Sequence, residues 1–245
     1  MKWISSAMDF LLPRTCIVCG ERLFRDERHI CLECRACLPL TYFWKQSHNP
    51  MSDRLNEVIQ KNLEANDDQR REDYSFCAAL FLYQSEGSFR LIPYQIKYKG
   101  DIKAGEYFGR MLGNRLKSEE LWKGADLIIP VPLHWSRQFK RGYNQAEAIA
   151  TGVAAAMGIP LRTDILVRRK RTKTQTRLNP EEKARNVAEA FETKCNVPPQ
   201  VRHIIIVDDV FTTGSTLGEC FRALRTVFPS GVRISVATLA FVGGA

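Results

Sequence analysis

The chain has 245 residues, of which 44% are hydrophobic and 26% are charged, as in ordinary soluble globular proteins. This length allows one large domain, or one medium-sized domain with a small module. No apolar run reaches the roughly 18 residues that a spanning helix needs, so we do not expect an integral membrane protein. Lys and Arg number 36 against 27 Asp and Glu, and the net charge of +9 favours anionic partners such as nucleotides, nucleic acid or a membrane surface.

The N-terminal segment 1–44 is predicted to combine an amphipathic helix with a metal-binding module. Residues 1–13 lack a small-residue cleavage site and carry Asp9 within their apolar stretch, which favours a helix over a signal peptide and predicts a cytoplasmic protein. Two Cys-x₂-Cys pairs follow, and such pairs place four thiolates around a structural Zn²⁺. Reduced core cysteines are the alternative, and Cys37 or His29 could replace a ligand. The predicted zinc ligands are Cys16, Cys19, Cys31 and Cys34.

Residues 45–75 are mostly polar and are predicted to form a linker that carries one amphipathic helix. Just before this segment lie three aromatic residues, Tyr42, Phe43 and Trp44. They could stack on the bases of a single strand, but packing of the module against the main domain is the favoured use.

From residue 76 to residue 245 the pattern predicts a single α/β domain. Apolar runs predict strands over 76–83, 126–132, 165–167, 203–209 and 232–241, and helical periodicity predicts helices over 88–98, 102–116, 144–157 and 215–228. This alternation predicts a parallel sheet flanked by helices. Ligands bind at the carboxyl ends of the strands in such sheets, so the loops after Pro132 and Asp209 are the candidate binding loops.

The segment Ile204–Thr216 predicts a site for a ribose 5-phosphate. A strand delivers Asp208 and Asp209, whose carboxylates can accept hydrogen bonds from the vicinal hydroxyls of a sugar. The N-terminus of the following helix favours a phosphate, because its backbone N–H groups are unpaired there and carry partial positive charge. Glycine permits a tight turn around that phosphate. The candidate phosphate-binding residues are Val210, Thr212, Thr213, Gly214, Ser215 and Thr216.

This segment resembles the phosphoribosyl diphosphate (PRPP) signature of type I phosphoribosyltransferases. Further segments resemble the ComF family of competence and DNA-utilisation proteins within that fold. They are the cysteine module, Ile96-Lys97-Tyr98-Lys99-Gly100-Asp101, Pro130-Val131-Pro132-Leu133-His134, Arg141-Gly142-Tyr143-Asn144-Gln145-Ala146, Thr172 with Arg177, Arg185-Asn186-Val187 and Ala190-Phe191. The resemblance implies a type I phosphoribosyltransferase-like domain with a small N-terminal Cys₄ zinc module.

The resemblance also implies a mechanism in which a nucleophile displaces diphosphate from PRPP with the help of Mg²⁺. Asp208 and Asp209 would then be the catalytic acids. Basic residues at the loop after Pro132 and in the basic stretch 162–185 would bind diphosphate, close over the site as a flap, or bind DNA. A solvated charged loop is the plain alternative for that stretch. The basic candidates are Arg137, Lys140, Arg141, Arg169, Lys173 and Arg177.

Two functions remain open at this point. The first is a ComF-like protein that binds PRPP and single-stranded DNA and acts in DNA uptake or utilisation, with DNA-uptake or helicase proteins as partners. The second is an active phosphoribosyltransferase with an unknown acceptor and no DNA role. No residue set in the sequence selects a purine, a pyrimidine or an amine as the acceptor.

Overall fold

The computed structural model of the chain describes residues 14–65, 71–133, 139, 141–168, 191–194 and 200–243. The helix expected over residues 1–13 lies outside these residues. No helix in the described part of the chain is long and apolar enough to cross a membrane.

The predicted parallel sheet is confirmed and has four strands among the described residues. Every neighbouring pair in it is parallel, in the order β1-β6-β5-β2. A short antiparallel pair, β3 with β4, lies beside it, and the sequence patterns predicted only the first strand of that pair. The strands are β1 (Cys77–Leu82), β2 (Leu127–Pro130), β3 (Leu166–Arg168), β4 (Phe191–Thr193), β5 (His203–Phe211) and β6 (Arg233–Phe241).

Helices cover both faces of the sheet, as the continuous apolar runs of its strands require. The helices are α1 (Leu32–Ala36), α2 (Pro50–Ala65), α3 (Leu91–Tyr98), α4 (Ile102–Lys117), α5 (Gln145–Met157) and α6 (Ser215–Arg225), with 3₁₀ turns at Phe43–Lys45, Ser88–Arg90 and Glu120–Trp122. On β5, Ile205 and Val207 pack in one core with α3, α4 and α5. Ile204 and Ile206 pack in a second core with α2 and α6. This alternation follows from the two-residue period of a strand.

Glycines bring α4 and α5 unusually close together. A Cβ placed on Gly109 would lie 2.1 Å from the carbonyl oxygen of Ile149, and one on Gly152 would lie 2.1 Å from that of Glu106. These neighbours are backbone atoms of the opposite helix, which cannot move aside as a side chain can. The close contact between α4 and α5 therefore requires glycine, which has no Cβ, at both positions.

The N-terminal segments pack onto the same domain. Ile30 and Leu38 of the cysteine module belong to the core that contains Ile92 and Ile96 of α3. The amphipathic helix expected within 45–75 is α2, and its Leu55 is fully buried in the opposite core. Trp44 is also buried, and Trp122 Nε1 donates a hydrogen bond of 3.0 Å to its carbonyl oxygen.

Candidate functional site

The two predicted acids lie near the carboxyl end of β5 and face different elements. The strand continues to Phe211, two residues past the end that the sequence predicted. Asp209 is buried and directed at α3, whereas Asp208 is half-buried near α6. Burial and then the charge of Asp208 raise the pKa of the buried Cys220 thiol on α6. The acids are therefore adjacent but not equivalent.

Asp208 is held in an environment that disfavours its charge. Burial, followed by the negative charge of Asp209, raises the pKa of Asp208 well above the ordinary value of 3.8. A backbone hydrogen bond of 2.8 Å from Asp209 N to Asp208 Oδ1 opposes this effect only in part. A cation that binds beside Asp208 must therefore displace a proton over part of the neutral pH range.

Lys97 compensates the charge of Asp209. Its Nζ lies 2.7 Å from Asp209 Oδ2, and the two side chains are 27% and 6% exposed. The other carboxylate oxygen of Asp209 accepts a hydrogen bond of 2.9 Å from Val210 N. Because the pair is largely shielded from water, it fixes the orientation of Asp209 far better than an exposed ion pair would.

The loop after β5 has the geometry of an anion-binding turn. Gly214 adopts a φ of +81° and is the N-cap residue of α6, and a Cβ there would lie 2.9 Å from the Phe211 ring. Thr212, Thr213, Ser215 and Thr216 are exposed around this turn. Gly214 has no side chain to cap the helix, and Ser215 N donates only a long hydrogen bond of 3.4 Å to Thr213 Oγ1, so backbone N–H groups in the first turn of α6 can bind a ligand.

Arg54 of α2 fixes the backbone of this loop from the far side. Its guanidinium donates hydrogen bonds to the carbonyl oxygens of Thr212 and Val242, at 3.0 and 3.4 Å, and lies 5.5 Å from the centre of the Phe241 ring. The contact joins α2, the loop and the end of β6. The sequence patterns predict no role for Arg54, because nothing in a polar stretch distinguishes a loop anchor from a solvated cation.

Three of the segments that carry the resemblance meet here. Segment 96–101 supplies Lys97 to Asp209, and segment 141–146 supplies Arg141, whose guanidinium lies 5.1 Å from the centre of the Tyr98 ring. Tyr143 Oη donates a hydrogen bond to the Ile96 carbonyl oxygen, which joins the two segments directly. Asn144 caps α5 and donates a hydrogen bond of 3.0 Å to Val131 O, just beyond β2. The ends of two neighbouring strands and both segments therefore frame one site.

The four predicted zinc ligands also come together. Their Sγ atoms all lie within 4.8 Å of one another, and Cys19 and Cys31 are 3.8 Å apart. A tetrahedral site with Zn–S bonds of about 2.3 Å has sulfur–sulfur distances of about 3.8 Å, so the cluster fits zinc. All four ligands would be protein thiolates, which leaves no open position for a substrate. Such a site is structural.

The surroundings of the cluster support this ligand set. Burial raises the pKa of the Cys16 thiol, but backbone N–H groups of Cys19, Cys31 and Val18 outweigh it and lower the pKa to about 7. His29 instead turns toward Asp101, with Nδ1 3.4 Å from Oδ2, and toward the ring of Tyr107. Neither His29 nor Cys37 belongs to the cluster that could hold a metal ion, which consists of Cys16, Cys19, Cys31 and Cys34.

Comparisons with known proteins agree with this geometry. A phosphoribosyl transferase domain family matches residues 143–244. Competence protein F of Haemophilus influenzae is 41% identical over 106 residues, which cover 42% of this chain and 45% of that protein. DNA utilization protein YhgH of Salmonella typhi is 36% identical over 137 residues, 55% of this chain and 60% of that protein. Competence protein ComFC of Streptococcus pneumoniae is 24% identical over 129 residues, 53% of each chain.

The chain is therefore similar to proteins named competence protein F, ComFC and DNA utilization protein YhgH, and its residues 143–244 match a phosphoribosyl transferase domain. The matched part spans about half the length of these curated relatives. The domain match includes Asp208, Asp209 and the whole loop after β5, but it begins after Lys97 and Arg54.

Lys97 is the site residue that sequence reasoning missed. It belongs to a segment that resembles the ComF family, but no pattern in that segment assigns it a role. No local signal could have found it, because its partner Asp209 lies far away in the sequence.

Five basic candidates for the ComF-like flap or diphosphate site lie outside the described residues, namely Arg137, Lys140, Arg169, Lys173 and Arg177. Arg141 is described, and it lies between Tyr98 and Gln145, whose Oε1 accepts a hydrogen bond of 3.0 Å.

Proposed function

We propose that this protein belongs to the ComF family and binds PRPP, or a related ribose 5-phosphate, together with Mg²⁺ at the carboxyl end of β5. We propose further that it binds single-stranded DNA and acts in the cytoplasm in DNA uptake or DNA utilisation. The observation that carries the first part is the arrangement at the end of β5. There, two carboxyl groups stand directly before a turn with positive φ at Gly214 and the N-terminus of an 11-residue helix.

Each part of this arrangement matches one part of the ligand. The 5-phosphate would lie in the turn Thr212–Thr216, against the backbone N–H groups and exposed hydroxyls at the start of α6. The ribose hydroxyls would donate hydrogen bonds to Asp208 and Asp209. Gly214 cannot be replaced without strain, because its φ is positive and a Cβ would press on the Phe211 ring.

The acid pair fits Mg²⁺ in its donor chemistry, since Mg²⁺ prefers oxygen ligands and keeps several waters and substrate oxygens. Bound there, Mg²⁺ would neutralise negative charge on the leaving diphosphate. Lys97 already compensates Asp209, so Asp208 would be the residue whose proton is lost when the cation binds. The chain's own residues would orient Asp209 through Lys97 and hold the loop after β5 in place through Arg54.

Charge and relationship support the DNA part of the proposal. The chain carries a net charge of +9, and its relatives bear the names competence protein and DNA utilization protein. The stretch 162–185 holds nine basic and three acidic residues, which gives the same domain a strongly cationic segment. Such a segment favours the phosphates of a nucleic acid.

Titration calorimetry of PRPP with Mg²⁺ tests the ribose phosphate site. The wild-type protein should bind, and Asp208→Asn/Asp209→Asn should lose binding, while Glu120→Gln, a surface change before β2, should leave the affinity unchanged. Equal affinity of the double variant and the wild-type protein would disprove the assignment. DNA binding is tested separately by anisotropy with a labelled single strand at low salt, where the absence of binding would remove that part of the proposal.

A further inference from the structure

A second surface of the molecule combines exposed aromatic rings with cations. On α3, Tyr94 and Tyr98 are 46% and 62% exposed, although large aromatic side chains usually bury most of their surface. Their ring centres lie 5.2 Å apart at an angle of 43°. The two residues are one helical turn apart, so they form a continuous aromatic strip along α3.

One end of this strip reaches the site at β5. The guanidinium of Arg141 lies 5.1 Å from the centre of the Tyr98 ring, and Lys97, next to Tyr98 in the chain, contacts Asp209. A ligand stacked on Tyr98 would therefore touch the same segments, 96–101 and 141–146, that frame the acid pair. The strip is an extension of the candidate site and not an isolated patch.

Along its length the strip also borders an open cleft of about 770 Å³ between the cysteine module and α3. Three exposed cations line this cleft, namely Arg14, Arg28 and Lys103. Leu91 and Gln95 form its wall on α3, and each of them lies three residues before one of the two tyrosines. Because residues three apart are neighbours on a helix surface, the tyrosines stand at the edge of the cleft.

One acid in the cleft offsets part of this positive charge. Asp101 lines the cleft, where its Oδ1 accepts a hydrogen bond of 2.9 Å from Ala104 N and its Oδ2 faces His29 Nδ1 at 3.4 Å. It caps α4 and joins the module to the α3–α4 turn. Because three cations face this one acid, the cleft keeps a net positive charge beside the aromatic strip.

We propose that Tyr94 and Tyr98 are a stacking platform for the unpaired bases of a DNA single strand, whose phosphates lie along the cleft cations Arg14, Arg28 and Lys103. This inference rests on the proposed single-strand binding and places the binding surface on α3 and the cleft beside it. Cations that follow a backbone beside aromatic rings that stack on its bases are the chemistry by which proteins hold single strands without base pairing. A path over α3 would lead one nucleotide of the strand toward Arg141 and the acid pair.

Anisotropy titrations of a fluorescent (dT)₁₅ strand and of an abasic strand of equal length test the platform. Tyr94→Ala and Tyr98→Ala should each weaken binding of (dT)₁₅ by about 5- to 150-fold, the range for loss of one stacked base. Tyr98→Phe keeps the ring and should stay within about threefold of the wild-type protein, by the same reasoning. Phe24→Ala is the matched control, because Phe24 is 79% exposed but neither belongs to α3 nor lines the cleft.

The abasic strand tests base stacking on the tyrosines, and the salt dependence tests phosphate binding by the cleft cations. The wild-type protein should bind the abasic strand more weakly than (dT)₁₅, and the alanine variants should no longer distinguish the two strands. Arg28→Gln/Lys103→Gln should reduce the log–log salt slope by roughly 0.7 for each phosphate that is no longer neutralised. The remote change Lys123→Gln should leave the slope unchanged.

The outcomes also separate this inference from the function on which it rests. If the wild-type protein binds no single strand at low salt, the DNA part of the proposed function fails and the platform fails with it. If the wild-type protein binds while Tyr94→Ala and Tyr98→Ala bind equally well, the DNA function stands and the platform is refuted. PRPP affinity should be unchanged in Tyr94→Ala, because Tyr94 lies a helical turn away from the Tyr98–Arg141 contact; a loss of PRPP binding there would also contradict the assignment.

Discussion

Replacing Lys97 with methionine is the most informative single perturbation of the site. The change keeps the length and apolar contacts of the side chain on α3 but removes the ammonium that lies 2.7 Å from Asp209 Oδ2. Asp209 is only 6% exposed, so its carboxylate would remain buried next to Asp208 without its cation. Lys97 also lowers the pKa of Asp208, so its loss disfavours both charges.

The size of the effect follows from burial. Removing one partner of a fully buried ion pair lowers the free energy of unfolding by about 3–5 kcal/mol. Because water reaches Lys97, we expect Lys97→Met to lower it by about 2–3 kcal/mol. The loss should shrink as the pH falls, because Asp208, whose pKa is raised by burial and by the charge of Asp209, takes up a proton and no longer repels Asp209. In the double variant Lys97→Met/Asp209→Asn, much of the loss should be recovered, with a coupling energy of about 1–3 kcal/mol.

Urea unfolding of the two single variants, the double variant and the wild-type protein measures these quantities at pH 6 and pH 8. Lys99→Met is the matched control, since Lys99 is exposed at the end of the same helix. A loss below about 0.5 kcal/mol in Lys97→Met, or strictly additive effects in the cycle, would show that the pair does not hold Asp209 in place.

Three further predictions concern the acid pair, the metal and the helix contact. Because the pKa of Asp208 is raised on folding, the folded state binds its proton more tightly than the unfolded chain, and stability falls as the pH rises above the ordinary value of 3.8. Asp208→Asn should therefore have a higher melting temperature than the wild-type protein at pH 8. A lower melting temperature of the variant at that pH would contradict this direction. Metal analysis should give one zinc per chain, and its removal by a chelator should lower the melting temperature, whereas less than about half an equivalent, or a melt unaffected by the chelator, would count against the structural site. Gly109→Ala should cost at least about 2 kcal/mol, because its Cβ meets backbone at 2.1 Å, whereas Gly231→Ala, with no atom within 4 Å of the added Cβ, should be nearly neutral in the same urea assay.

Much of the fold could be predicted from the sequence because its signals are local. The runs 203–209 and 232–241 lie within two residues of β5 and β6, since a buried parallel strand must be continuously apolar. The sequence patterns do not predict the short strand β4, because its three residues form a strand only by pairing with β3, which is distant in the sequence. The end of β5 was placed too early because two adjacent acids resemble the start of a loop.

In the candidate site, too, the residues with a local sequence pattern could be predicted and those that act through distant contacts could not. Its acids, its glycine turn and its four cysteines have a spacing that is typical of known sites. Lys97 and Arg54 act through partners 112 and 158 residues away in sequence, and no local pattern encodes such contacts. The exposed pair Tyr94–Tyr98 was also missed, because a helical spacing of aromatic residues predicts a buried face more often than an open one.

A crystal structure of the protein with PRPP and Mg²⁺ tests the central claim most directly. We expect the 5-phosphate in the turn Thr212–Thr216, the ribose hydroxyls within hydrogen-bonding distance of Asp208 or Asp209, and the Lys97–Asp209 contact retained. Density for the ligand anywhere else, or a turn that holds no phosphate at saturating PRPP, would contradict the account.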